Sequence, residues 1–161
     1  MVEYVYTKGE NLEDTNENKK YICYFDASQK ENNAAIAYIV KNAENKTILQ
    51  SSKTIECNSS HIAEAKALTE LLGNLSNKND ECLMPKKSEI TIYGDCRGVI
   101  DFIKNRTKYT NCKYKETYNP ILYYYLKLKE DNVIALKWIR RTKNKEADAI
   151  ARKLLKQNKV A

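Results

Sequence analysis

The chain has 161 residues, 42% of them apolar and 30% charged, enough for one globular domain with a real core and too few for two. Its 28 Lys and Arg against 21 Asp and Glu leave a formal charge of +7, which excludes an acidic solvating chain and points to a polyanionic partner. No run approaches the roughly 18 apolar residues of a membrane span, and the early Glu3, Glu10, Glu13 and Asp14 break the order of a signal peptide, so a cytoplasmic protein with no membrane partner is expected.

The charge is segregated: residues 1–80 hold 9 basic and 12 acidic side chains, and residues 81–161 hold 19 and 9, so the excess lies wholly in the second half. Residues 1–19 read as a polar extension, because TKGENLEDTNENKK offers almost nothing apolar to offset its ordering entropy. Val2, Tyr4 and Tyr6 alternate ahead of it and permit a short added strand. The folded domain is expected over residues 20–161. YICYFDAS, AAIAYIVKN and TILQSSKTI are β-branched or aromatic runs joined by short polar breaks, the pattern of a three-stranded meander. Ser59 or Ser60 can cap a helix over about 60–76, with Ile62, Ala65, Leu68, Leu71, Leu72 and Leu75 at helical spacing and Gly73–Asn74 placed to end it. EITIYGD predicts a fourth strand, RGVIDFIKNR a short helix, ILYYYLKLK a longer one entered through Pro120, VIALKWI a fifth strand and NKEADAIARKLLKQ a terminal helix. That order defines an α/β fold with a mixed sheet. Cys23, Cys57, Cys82, Cys96 and Cys112 are scattered singly with no C-x-x-C pair, which argues for reduced thiols and against zinc or a disulfide framework.

Four acids stand out. Asp26 interrupts an apolar strand, where an edge charge or a turn is its plain alternative. Glu64 lies beside a buried stripe, but also near the capping-box position relative to Ser60. Asp95 ends the fourth strand before a helix, where an N-cap is the ordinary role and where open α/β sheets also form binding crevices. Asp148 sits near the apolar flank of the last helix, where an unpaired carboxylate is expensive. Together they predict a crevice of converging carboxylates. Such a cluster needs cations, and an all-oxygen site suits Mg²⁺ or Mn²⁺. Two ions in such a site suit phosphoryl transfer.

YFDAS, SSHIAEAKALTELL, ITIYGD and NKEADAIARKL together resemble the ribonuclease H type 1 family over about residues 20–157, with successive acids 38, 31 and 53 residues apart. The resemblance implies an RNase H-like five-stranded mixed sheet, three antiparallel strands then two parallel additions, with helices on both faces. It also implies an endonuclease that cuts the RNA strand of an RNA:DNA hybrid with two Mg²⁺ ions, or Mn²⁺ in their place, leaving 5′-phosphate and 3′-hydroxyl ends. No obligate protein partner is evident in the sequence, and a monomer is expected. Asp26, Glu64, Asp95 and Asp148 then correspond to the metal-binding catalytic acids. Ser28 corresponds to a hydroxyl that approaches the nucleic-acid backbone, and Asn144 either to a substrate contact or to the N-cap of the last helix.

Three departures accompany that resemblance. Ser60 and His61 stand where Asn residues usually read 2′-hydroxyls, and both can still hydrogen-bond one. The segment WIRRTKNKEAD lacks the loop histidine, so Arg140 or Arg141 is expected to meet phosphate instead, with slower turnover. KNRTKYTNCKYK, residues 104–115, replaces a full basic handle, with Lys113 and Lys115 among its expected substrate contacts. A nuclease acting on DNA or branched junctions, and a non-catalytic nucleic-acid-binding module, remain the alternatives.

Overall fold

A computed structural model describes residues 19–80, 87–105 and 114–158. Strands β1 (Lys20–Lys30), β2 (Asn33–Asn42) and β3 (Thr47–Glu56) form the meander. Helix α1 (Ser60–Asp80) leads to β4 (Glu89–Gly94), and helices α2 (Arg97–Lys104) and α3 (Lys115–Asp131) lead to β5 (Val133–Trp138). A single 3-10 turn at Arg141–Lys143 precedes α4 (Lys145–Gln157). The sheet order is β3-β2-β1-β4-β5; β1–β2 and β2–β3 are antiparallel, whereas β1–β4 and β4–β5 are parallel. Parallel neighbours need long crossovers, and α1 and the α2–α3 pair supply them.

Alternation along the strands divides the core. Tyr21, Cys23 and Phe25 of β1 and Ile90 and Ile92 of β4 enter the main apolar cluster with α1, α2 and α3. On the other face Ala35 and Ala37 of β2 receive Ala151 and Leu155 of α4. Covered on both sides, β2 is buried along nearly its whole length, which is why AAIAYIV reads as a continuous apolar run. Lys41, buried near the end of β2, extends its ammonium 2.6 Å from a Glu146 carboxylate oxygen and so ties the start of α4 to the sheet.

Helix α1 differs from its expected extent. It runs through Gly73 and Asn74 to Asp80 and does not stop near residue 76. The reason is packing: a Cβ at Gly73 would stand 3.5 Å from the Tyr124 ring of α3, and Asn74 donates its side-chain amide to the Glu70 carbonyl at 3.0 Å. The glycine is thus the point at which α3 leans on α1. Of the tyrosine run, Tyr124 and Tyr125 are half-buried, whereas Tyr123 is 63% exposed and stands outside the core. Cys23 and Cys57 are buried and Cys96 is half-buried, all three as free thiols, while Cys82 and Cys112 lie outside the described residues. None of the described helices is long and apolar enough to cross a membrane.

Two glycine substitutions should separate these constraints in thermal melts. Gly94→Ala would drive a methyl group into the Phe25 ring and should destabilise the protein by about 1–3 kcal/mol, whereas Gly73→Ala meets only ordinary contact and should gain up to about 1 kcal/mol from helix propensity. Equal effects of the two would contradict the packing described.

Candidate active site

The parallel β1–β4 pair is the foundation of the site. Tyr24 lies opposite Tyr93, so two residues further on Asp26, still within β1, and Asp95, just past the end of β4, come side by side. Asp26 lies opposite Ala37 and is 1% exposed. Glu64 comes from the opening turns of α1, which Ser59 caps by accepting the Ile62 N–H at 3.3 Å. The capping box with Ser60, the alternative role for Glu64, does not form. Glu64 reaches instead to the strand, where its Oε1 accepts the Ala27 N–H at 3.3 Å. Ligand oxygens of Asp26, Glu64 and Asp95 lie within 4.8 Å of one another.

Asn144 holds this junction closed. It occupies the residue before α4, but its side chain caps nothing. Its amide nitrogen donates to the Phe25 carbonyl at 2.9 Å and to Asp95 Oδ2 at 3.3 Å, joining the backbone beside one acid to the carboxylate of another. Asp95 is likewise not the N-cap of α2, a position Cys96 takes without a side-chain bond. The Asp95 carbonyl accepts the Trp138 indole N–H at 3.0 Å, and the Arg97 guanidinium lies 3.8 Å from the centre of that indole ring. Trp138 thus braces the acid rather than simply filling the core.

Asp148 is placed differently from the other three acids. Its Oδ1 accepts the Arg152 Nε–H at 3.0 Å, and the residue lines an adjoining cleft of about 380 Å³. Ser28, Ser60, Glu64 and Arg141 share that lining. The single crevice of four acids expected from the sequence is therefore a cluster of three with the fourth on the neighbouring wall. Arg140 is exposed just before the 3-10 turn and is not part of that lining. His61 is half-buried: its Nε2 is hydrogen-bonded to the Tyr118 hydroxyl, its Nδ1 lies 3.8 Å from Cys96 Sγ and the Tyr114 ring packs 5.0 Å away. Burial lowers its pKa and favours the neutral imidazole. Lys115 is the exposed first residue of α3; Lys113, with the rest of residues 106–113, lies outside the described residues.

Burial pushes the Asp26 carboxyl up to about 6, and the negative charges of Asp95 and Asp148 act in the same direction. Glu64 is raised well above the usual range, first by burial and then by the neighbouring Asp26 and Asp95. Both carboxylate oxygens of Asp26 and Oε2 of Glu64 are buried without a hydrogen-bond partner. Ionised acids in such a place are costly unless a cation meets them. Three converging carboxylates, two of them with unpartnered buried oxygens, fit a hard divalent ion of the Mg²⁺ or Mn²⁺ type, and their donor set lacks the nitrogen and sulfur that zinc favours.

This sheet order, with acids at the β1–β4 junction and on the first turns of α1, defines an RNase H-like protein. The chain belongs to the reverse transcriptase-like family, whose model matches residues 24–154, and its resemblance to ribonuclease H type 1 extends to solved structures. Ribonuclease H1 from the archaeon Halobacterium salinarum is 18% identical with a TM-score of 0.68, over 86% of this chain and 98% of that one. LC11-RNase H1, isolated from compost by a metagenomic approach, is 21% identical with a TM-score of 0.73, over 86% and 97%. A second structure of LC11-RNase H1, in complex with an RNA/DNA hybrid, gives 20% identity and a TM-score of 0.71 over 83% and 94%. No curated protein matches the sequence significantly.

The raised Asp26 pKa has a definite thermodynamic sign. The folded state holds the proton more tightly than the unfolded chain, so stability from this group falls as pH rises from about 4 to about 6, and the full penalty, on the order of 3 kcal/mol, applies above that. In metal-free protein Asp26→Asn should therefore melt higher than wild type at neutral pH, with the difference shrinking towards pH 4. Mg²⁺ should raise the melting temperature of wild type more than that of the variant. A pH-independent difference in calorimetry would contradict this account.

Proposed function

We propose that the protein is a metal-dependent endoribonuclease that hydrolyses the RNA strand of RNA:DNA hybrids, leaving 5′-phosphate and 3′-hydroxyl ends. The observation that carries the reading is the triad of buried Asp26 and Glu64 with half-buried Asp95, in which the unpartnered oxygens of Asp26 and Glu64 adjoin a cleft lined by hydroxyls and cations. Asp26, Glu64 and Asp95 would hold the divalent ions, with Asp148 joining them from the cleft wall. Two such ions, when bound, supply activation of the attacking water and stabilisation of the leaving oxygen.

The chain's own residues have separable tasks in this proposal. Asn144 and Trp138 fix the orientation of Asp95, so the acid loses little freedom when the substrate arrives. Ser28 and Ser60 line the cleft beside Glu64, where hydroxyl and carboxylate groups can hydrogen-bond a 2′-hydroxyl and so distinguish RNA from DNA. Arg141 supplies a permanent cation to phosphate from the same lining. His61, already bonded to Tyr118, is suited to a fixed polar contact and not to shuttling protons. The hybrid in the LC11-RNase H1 structure supports this substrate class.

Labelled RNA:DNA hybrid, RNA duplex and DNA duplex should be incubated with the protein in Mg²⁺ or Mn²⁺. Cleavage confined to the RNA strand of the hybrid, abolished by EDTA and reduced at least a hundredfold by Asp95→Asn, is expected. Equal cutting of duplex DNA would overturn the substrate assignment, and unchanged activity of the variant would overturn the site.

A further inference from the structure

The cleft beside the carboxylates carries more charge than the site itself needs. Along α4, Asp148, Arg152 and Lys156 are spaced i, i+4, i+8, so they form one stripe with steps of about 6 Å along the helix axis. All three line the cleft, together with Lys30 at the end of β1 and Arg141 from the 3-10 turn. Lys30, Arg141, Arg152 and Lys156 are exposed, and among the described residues only Arg152 has an ion-pair partner. That partner is Asp148, met through Nε alone, so the terminal nitrogens of the guanidinium remain available for a second anion.

We infer that Lys30, Arg141, Arg152 and Lys156 form a phosphate track that holds the RNA strand on one side of the scissile linkage. This inference rests on the hybrid-cleaving reading and assigns its strand. Four cations against two acids, Glu64 and Asp148, along one cleft suit a linear polyanion better than a single small anion. Ser28 and Ser60 share the cleft and offer hydroxyls to the 2′-position, which only the RNA strand carries. Arg152 links the site to the proposed path: it binds Asp148 on the cleft wall and lies one helical step from Lys156. The strand would therefore be gripped by the same residue that positions Asp148.

Hybrid binding should be measured across a salt series in an Asp95→Asn background with Mg²⁺, so that the RNA is not cut, and then with Lys30→Gln and Lys156→Gln added together. The slope of log affinity against log salt should become shallower by about 2, with no change in melting temperature. Neutral methylphosphonate linkages placed in the RNA strand on one side of the cut site should weaken binding by the parent protein but not by the double variant, a coupling that a structural role would not produce. An unchanged slope, with hybrid binding intact, would overturn the track alone. Coupling to linkages in the DNA strand would overturn the strand assignment. A parent protein that binds hybrid no better than duplex DNA would overturn the substrate reading and the track with it.

Discussion

Mutual repulsion and desolvation of carboxylates at the β1–β4 junction is the constraint that organises this molecule. Asp26 and Glu64 are almost wholly buried, and their unpartnered oxygens crowd Asp95. Nothing in the apolar core rewards that arrangement. It persists because the surrounding structure holds it: parallel register places two of the acids side by side, the first turns of α1 bring the third, and Asn144 and Trp138 brace the junction from the C-terminal part of the chain. A site of this kind is strained in the absence of cations and is stabilised by them, so metal binding and local stability are linked.

The rest of the fold serves this junction with ordinary means. Small residues on β2 allow α4 to approach closely, through Ala35 and Ala37 against Ala151. The aromatic ring of Phe25 fills the space that Gly94 leaves, and this keeps the two strands tight where the acids emerge. Lys41 and Glu146 anchor the first turn of α4, only two residues from Asn144. Each contact is modest alone, and together they determine where Asn144 and Asp148 stand.

Elements with a strong period were legible from the sequence. Alternating β-branched and aromatic runs marked all five strands, and apolar spacing marked the helices. The end of α1 was not legible, because Gly73 and Asn74 carry the local signature of a stop while the Tyr124 ring that explains them comes from a distant helix. The three acids of the cluster could be picked out as charges misplaced in apolar settings. The placement of Asp148 on the neighbouring wall could not, since it depends on where the last helix packs against the sheet. Asn144 offered two local readings, cap or substrate contact, and the structure shows it bridging Phe25 and Asp95, residues 119 and 49 positions away. Arg152 and Lys156 carried a usable signal in their spacing from Asp148, but only the closeness of Lys30 and Arg141 makes that stripe a cleft.

The bond from Asn144 to Phe25 also bears on how the protein reaches its native state. It closes a loop of most of the chain, a contact of very high sequence separation, whereas Glu64 and Ala27 belong to the early meander and helix. A growing or partly folded chain that has formed the N-terminal half still lacks the residue that fixes Asp95. The brace on the acid cluster is therefore completed only when the last helix docks, so the orientation of Asp95 depends on a residue made long after the acids themselves.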